Sequence, residues 1–492
     1  MIREVTIRPV PGSRERYAAG PRSAVPTLTD DRRLRLAAFT ALYFAQGVPW
    51  GFISTGYVVL LADLGLDNAT VGAAIGLAYL PWSFKILWGP LLDAVPPLRI
   101  GRRRPFVIAA ELLMGLTLLA LWGVDPRTQL PLVSALLFLH NTAASLQDVA
   151  VDALAVDLLE EDERGRANSS MWAGKSLGVV LGGGGGTVFA KHFGWGALFA
   201  AMAATMWLIA CVPLVVRERP ARDDDQPVDR RLLRLSWFLL PFGVVAGVMY
   251  GLSVLEERLA DHPLGPLVPV VQPFAAVLGA LAAWPLVDRA GFARLRSTFS
   301  FATPWWAVAA AVLTPAGYAL VGTPLSRMVR ADLHFSEEQI ATLSGVIDPA
   351  SGVVGALVGG WLADRYGPRA ALAGTMAALA VCLGGFAATE SLWPSFLFVA
   401  AFTAVANAIF NAYSAATFGV FMALADPRIG ATHFAIYMAA TNLTYAWTSP
   451  LGGVLADRAG YPALFVVGAL GLLAALPLVR PLDPAAVVGR YR

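Results

Sequence analysis

The sequence predicts an all-α polytopic membrane protein, two six-helix bundles with two extra helices between them, about 14 transmembrane helices in total. Three observations carry this expectation. Of 492 residues, 57% are hydrophobic and only 14% are charged, with a mean hydropathy of +0.61. Apolar runs near or above ~18 residues, long enough to cross a ~30 Å hydrocarbon core, recur along most of the chain. A short pattern around the second predicted helix also comes back in the second half.

Taken in order, residues 1–31 carry Arg and Pro without an apolar core and read as a cytoplasmic tail, neither a cleavable signal peptide nor a span. Six spans follow within residues 32–216, at 36–62, 68–92, 105–124, 130–158, 167–190 and 194–216. The stretch 217–234, RERPARDDDQPVDRRLLR, is too charged to enter a bilayer and reads as a linker. With spans at 235–255 and 266–287 it makes a connecting region, 217–299. Six further spans fill residues 300–480, at 300–326, 337–363, 369–388, 392–425, 431–456 and 461–479, and residues 481–492 form a second cytoplasmic tail.

The repeat supports this division. Ala62-Asp63-Leu64-Gly65-Leu66 precedes a span that contains Pro81 and ends at Gly89-Pro90-Leu91-Leu92-Asp93. Ala331-Asp332-Leu333-His334-Phe335 precedes one that contains Pro349 and ends at Gly360-Trp361-Leu362-Ala363-Asp364. The two Asp pairs are 30 and 32 residues apart (93 − 63 and 364 − 332). Parallel repeats of this kind are a recurring transporter architecture, and an even-numbered insertion keeps both halves facing the same way. Basic residues crowd one set of alternate loops, whereas the other set holds only Arg127, Lys191, Arg258, Arg327, Arg330 and Arg458. By the positive-inside rule both termini are then cytoplasmic. Cys211 and Cys382 lie inside apolar runs, without disulfide-framework or metal-ligand spacing.

The basic loops carry a motif. Asp93 leads to Gly101-Arg102-Arg103-Arg104, and Asp364-Arg365-Tyr366-Gly367-Pro368-Arg369 repeats the pattern compactly. Here the chain resembles the major facilitator superfamily, whose inner loops read G-x-x-x-D-[RK]-x-G-[RK]-[RK]. The resemblance implies that Asp93, Arg102, Arg103, Asp364, Arg365 and Arg369 form gating loops at the cytoplasmic helix ends. The first copy departs from the family by inserting residues 94–100. Gln147-Asp148-x-x-x-Asp152 with Asp157-Leu158-Leu159 and Glu163-Arg164-Gly165, Gln46-Gly47-Val48-Pro49, and Phe84-Lys85-x-x-Trp88 narrow the likeness to the AmpG-like muropeptide permease and acetyl-CoA transporter group. That likeness implies proton-driven solute transport in the inner membrane, with muropeptides, acetyl-CoA or siderophore-like solutes as substrates, and a transport role for Asp148 and Asp152. It also implies an extra helix pair at the C-terminus, whereas here the pair lies between the halves.

Charges at membrane depth are costly and mark substrate or ion pathways. At ~1.5 Å per residue from the cytoplasmic helix ends, Asp148 lies ~15 Å deep, Lys85 and Lys175 ~12 Å, Glu111 ~10 Å and Asp152 ~9 Å. Asn141, Ser145, Asp148 and Asp152, spaced 4, 3 and 4 apart, share one helix face. Three carboxyl groups thus meet two ammonium groups, which leaves one acid over as a proton carrier. Asp148, the deepest, is expected to carry the proton, with Asp152 paired to Lys175; the alternative is a wholly structural cluster. Gln46, Trp50, Trp82, Gln147, Asp348, Asn407, Asn411, Tyr413, Asn442 and Tyr445 are candidates for a polar-aromatic cavity lining. His140 is expected to bond a neighbouring helix rather than relay protons. Gly174, Gly178, Gly182 and Gly186 form a small-residue stripe for close helix approach, and the run 182–186 is a candidate bend.

The expected partners are a small solute, protons and the lipid bilayer, with no nucleic acid, no cofactor and no metal, and the expected functional unit is a monomer. The rival is a membrane-embedded enzyme or non-transporting sensor on the same scaffold; sugars and small peptides are the alternative substrates.

Overall fold

The structure, a computed structural model, describes residues 27–85, 87–88, 92, 101–159, 164–218, 239–259, 261–287, 289–425 and 430–483. Asp93, Gly89 to Leu91 and most of both predicted tails lie outside them. Among the described residues the chain is almost entirely helical, and ten helical stretches are long and apolar enough to cross a membrane. The last of these runs through two helices, parted at Gly460, whose φ of 79° breaks the helical path. Among the described residues, each of the expected spans is mainly helical. The spans at 68–92, 130–158 and 167–190 are not among the ten, and the last two of these carry Asp148, Asp152 and Lys175.

In chain order, α1 is Arg32–Asp63, opened by the Asp31 carboxylate accepting from the Arg33 and Leu34 amides and widened to a π turn over Phe52–Gly56. Helix α2, Asn68–Tyr79, is capped by Asp67 and tightens into a 3₁₀ turn, Leu80–Phe84, at Pro81. Helices α3 (Arg104–Leu121), α4 (Leu130–Leu158), α5 (Arg164–Gly182, resumed at Gly184–Phe193) and α6 (Trp195–Val215) complete the first half. The extra hairpin is α7 (Leu239–Arg258) with α8 (Val268–Val287), followed by a short, Arg-bearing α9 (Arg289–Thr298). Then come α10 (Ala302–Asp332), α11 (Glu337–Tyr366), α12 (Pro368–Ala388), α13 (Phe396–Leu424), α14 (residues 430–459) and α15 (residues 461–475).

The repeat seen in the sequence has matching local structure. Helix α11 opens with a Ser336 capping box, as α2 opens on Asp67, and α10 ends in a π turn, Met328–Asp332. Buried apolar side chains gather mainly into one cluster from residues 28–284 and two from residues 307–482. The hairpin lies over α2 and α14: Phe242 stacks on Trp88 at 4.6 Å, and Phe274 lies 5.9 Å from Trp447.

The glycine stripe on α5 lies against α1. A Cβ at Gly178 would fall 2.4 Å from the Phe44 carbonyl oxygen and one at Gly182 1.8 Å from that of Val48, so the two backbones touch where any side chain would separate them. Gly183 leaves the helical conformation (φ −82°, ψ −103°), and α5 breaks inside the glycine run.

Polar contacts between residues 32–216 and 302–479 concentrate at the end away from the basic loops. Arg330 grips the Asp63 carboxylate through Nε (2.6 Å) and Nη2 (3.2 Å) and reaches Glu337 at 3.0 Å. Lys191 pairs with Glu337 and Glu338 at 3.2 and 2.9 Å. Asp457 of α14 accepts from the amides of Asn68 (3.2 Å) and Ala69 (2.7 Å), so an acid of one half caps a helix N-terminus of the other. The series runs down to mid-depth, where the Asn442 side chain meets the Trp82 carbonyl oxygen at 3.5 Å. Each of these contacts lies at that end or at mid-depth.

Candidate transport site

Helices α1, α2, α4 and α5 bring Tyr43, Trp50, Trp82, Lys85, Asp148, Asp152 and Lys175 together. Lys85 Nζ donates to the buried Asp148 carboxylate. The Tyr43 hydroxyl donates to Asp152, which is exposed although it faces this group. Lys175 touches no carboxylate among the described residues; its ammonium sits 5.4–5.9 Å from the ring centres of Trp172, Trp50, Trp82 and Tyr43.

This corrects the expected pairing. Asp148 has Lys85 as its partner, and Asp152 is bound by a neutral hydroxyl rather than by Lys175. Depth counted along straight helices misses the reason: the 3₁₀ turn at Pro81 changes the rise to ~2.0 Å and the rotation to ~120° per residue just before Lys85. The glycine seam meanwhile presses α5 onto α1, so the Lys175 side chain emerges among rings.

Glu111 does not belong to the ammonium layer either. It is fully buried and accepts from Gln147 Nε2 at 2.8 Å, while Gln147 Oε1 accepts from Gln46 Nε2 at 2.7 Å. These three residues tie α1, α3 and α4 together inside the first half, so Gln46 and Gln147 are not cavity lining. Gln147 is one residue, ~100° of rotation, from Asp148 and points the other way. His140 behaves as expected: its Nδ1 lies 3.2 Å from the Met114 carbonyl oxygen and 3.0 Å from the Thr117 hydroxyl, both on α3.

In the second half, Asn407 donates to the Asp348 carbonyl oxygen (2.7 Å) and to Ser351 (3.0 Å), and Asn411 donates back to Asn407. Asp348, Asn407, Asn411, Asn442 and Tyr445 are all partly accessible. Tyr413 is not: two residues beyond Asn411, ~200° around the helix, it is buried against Thr314, with 2.6 Å between the hydroxyls. A line of rings, Trp82–Trp50 (5.1 Å), Trp50–Tyr79 (5.2 Å) and Tyr79–Tyr445 (5.6 Å), crosses from one half to the other.

Of the gating residues, Asp93 lies outside the described residues. The backbone amides of Arg102 and Arg103 donate to Glu218, at the start of the connecting region, at 2.8 and 2.7 Å, and the Arg103 guanidinium meets Asp157 of the first half at 3.3 Å. Burial pushes the Glu218 carboxyl above its ordinary range, and these amides oppose the shift. Asp364 and Arg365 are exposed, with no side-chain partner among the described residues, and Arg369 lies 3.4 Å from Asp483.

Sequence reasoning missed Tyr43, Trp172, Tyr79 and the ion pairs between halves. Tyr43 and Trp50 are seven residues apart on one face of α1, and Trp172 precedes Lys175 by three. That spacing was available as a signal.

Two bundles closed against each other at one end, with charged and aromatic groups at mid-depth between them, define a membrane transporter fold. The family model of the Major Facilitator Superfamily matches residues 39–328 and 307–490, and the chain belongs to that superfamily. It is 32% identical to an anhydromuropeptide permease of Escherichia coli (strain K12) over 201 residues, 40% of each chain. It is 27% identical to a putative transporter AmpG 4 of Rickettsia conorii (strain ATCC VR-613 / Malish 7) over 254 residues, 50% of this chain and 60% of that one. The chain thus spans only 40–60% of the length of these relatives. A D-xylose-proton symporter has the same fold at 13% identity and a TM-score of 0.62, over 91% of this chain and 96% of that one. A mutant form of the nucleoside transporter NupG matches at 13% identity and 0.56, over 91% and 99%.

Proposed function

We propose that the protein is a proton-coupled transporter of the AmpG-like kind, which moves an anhydromuropeptide-like solute across the inner membrane by alternating access. The observation that carries the reading is Asp152. Asp148 is matched by Lys85, whereas Asp152 is accessible and, among the described residues, hydrogen-bonded by the Tyr43 hydroxyl alone, so it is free to take up and release a proton. Asp152 rather than Asp148 is therefore the carrier. With the termini and basic loops cytoplasmic, the contacts between halves lie on the outer side, and this conformation opens inward.

The substrate reading rests on the permease relatives and on the rings of Trp50, Trp82 and Trp172, which offer apolar faces to a sugar. Asp348, Asn407, Asn411 and Asn442 line the facing half, and the loops bearing Asp93 and Asp364 close the cytoplasmic side in the opposite state. The test is uptake of a labelled anhydromuropeptide into proteoliposomes with and without an imposed proton gradient. Gradient-driven uptake is expected in the wild type and is lost in Asp152→Asn; full gradient dependence in that variant would end the assignment.

A further inference from the structure

The ammonium of Lys175 is held among rings, and no carboxylate among the described residues touches it. An ammonium has three N–H donors, and ring faces give ~0.5–2 kcal/mol of attraction without supplying an acceptor oxygen. Its main chain lies directly against α1: a Cβ at Gly47 would strike the Lys175 carbonyl oxygen at 2.1 Å, and one at Gly174 the Thr40 carbonyl oxygen at 2.4 Å.

We propose that Lys175, framed by Trp50, Trp82 and Trp172, is the receptor for the anionic group, a carboxylate or phosphate, of a solute that also carries a ring. The proposal rests on the transport reading above and adds the charge of the solute to it. An incoming oxyanion supplies the acceptors that the rings lack, in a charge-assisted hydrogen bond. The solute ring lies against the indole faces. Trp82 and Trp50 lead, through Asn442 and through Tyr79 and Tyr445, to the other half. A ligand seated here thus bears on the seam about which the halves must rotate.

The neighbouring charges make this binding depend on the proton. Tyr43 on α1, Lys85 on α2, Asp148 on α4 and Lys175 on α5 face Asp152. Asp148 is already matched by Lys85, so a proton on Asp152 removes the remaining negative charge that faces Lys175. Proton and anion then load together.

The test uses the purified full chain in detergent and follows tryptophan fluorescence. The probes are N-acetylmuramic acid against its methyl ester, and N-acetylglucosamine 6-phosphate against N-acetylglucosamine. At least one anionic member is expected to bind about tenfold or more tightly than its neutral twin. Which pair shows the preference separates carboxylate from phosphate. Lys175→Met should bring the anion down to the affinity of its neutral twin, and Lys175→Arg should retain the preference. Equal binding within both pairs in the wild type overturns the proposal, as does a preference that survives in Lys175→Met protein with wild-type circular dichroism and elution volume. Anion preference without gradient-driven uptake would remove proton coupling and leave the anion receptor standing. Gradient-driven uptake without anion preference would remove the receptor alone.

Discussion

Helices α4 and α13 are both 29 residues long and hold corresponding places in the two halves, yet only one of them is charged. Asn141 is eleven residues past Leu130, and Asn407 is eleven past Phe396. Each amide docks on a carbonyl oxygen near a proline of the neighbouring helix: Asn141 on Ala78 at 2.6 Å and Asn407 on Asp348 at 2.7 Å. Gln147 and Tyr413 also correspond, and both turn into their own half. The correspondence ends one residue later, where Asp148 stands against Ser414, and again at Asp152 against Phe418. The shared positions therefore hold the bundle together, while the divergent ones carry the chemistry.

The largest effect should come from parting the charged pair. Asp148→Asn leaves the Lys85 ammonium without its counter-ion, at a cost of ~3–5 kcal/mol. Ser414→Ala at the corresponding place should stay within ~0.5 kcal/mol. Thermal melts in one detergent compare the two, and equal losses would erase the distinction between the helices. Moving the acid instead, with Asp148→Ser and Ser414→Asp together, should not restore gradient-driven uptake, because Lys85 remains on α2; recovered uptake would mean that the acid need not sit in the first half. The shared position should behave alike on both sides. Asn141→Ala removes a buried amide and Asn407→Ala a part-buried one, and each should cost ~1–3 kcal/mol, so a large inequality in their melting shifts would break the structural equivalence. The Asp63–Arg330 pair should contribute little to stability, since exposed ion pairs contribute ~0–1 kcal/mol. Arg330→Gln should nonetheless loosen that end. The readout is labelling of Ser344→Cys by a membrane-impermeant thiol reagent, expected to rise several-fold over the same cysteine with Arg330 present; unchanged labelling would count against a gating role.

Much of the fold was legible because a bilayer constrains a chain so strongly. Every helix must satisfy its own backbone, and apolar length, loop charge and the Asp63/Asp332 repeat already indicate the helices and their pairing. The charged cluster was legible only in part, and its pairings were not: Glu111, Gln46, Gln147 and Tyr413 turn into the bundles, and Tyr43, Trp172 and Tyr79 join without having been expected. Asp148, Asp152, Lys85 and Lys175 do meet, but helical depth gives only one coordinate. Azimuth depends on the 3₁₀ turn at Pro81 and on how closely Gly178 lets α5 approach α1. Glu111 and Gln147 lie at comparable depth and face the opposite way, into the dry interior of the first half.

The sequence by itself determined that this is a helical membrane protein, because composition and periodicity follow from the solvent in which the chain must fold, and its loop and helix motifs carried the resemblance to the major facilitator superfamily. Only the tertiary structure decided that Lys85 rather than Lys175 answers Asp148, that Tyr43 holds Asp152, and that the halves are tied at one end by Asp63, Arg330, Lys191 and Asp457. Those are contacts between helices remote in the chain. They depend on turns, kinks and close glycine approaches whose effects add up over several helices, and no single stretch of sequence encodes the sum.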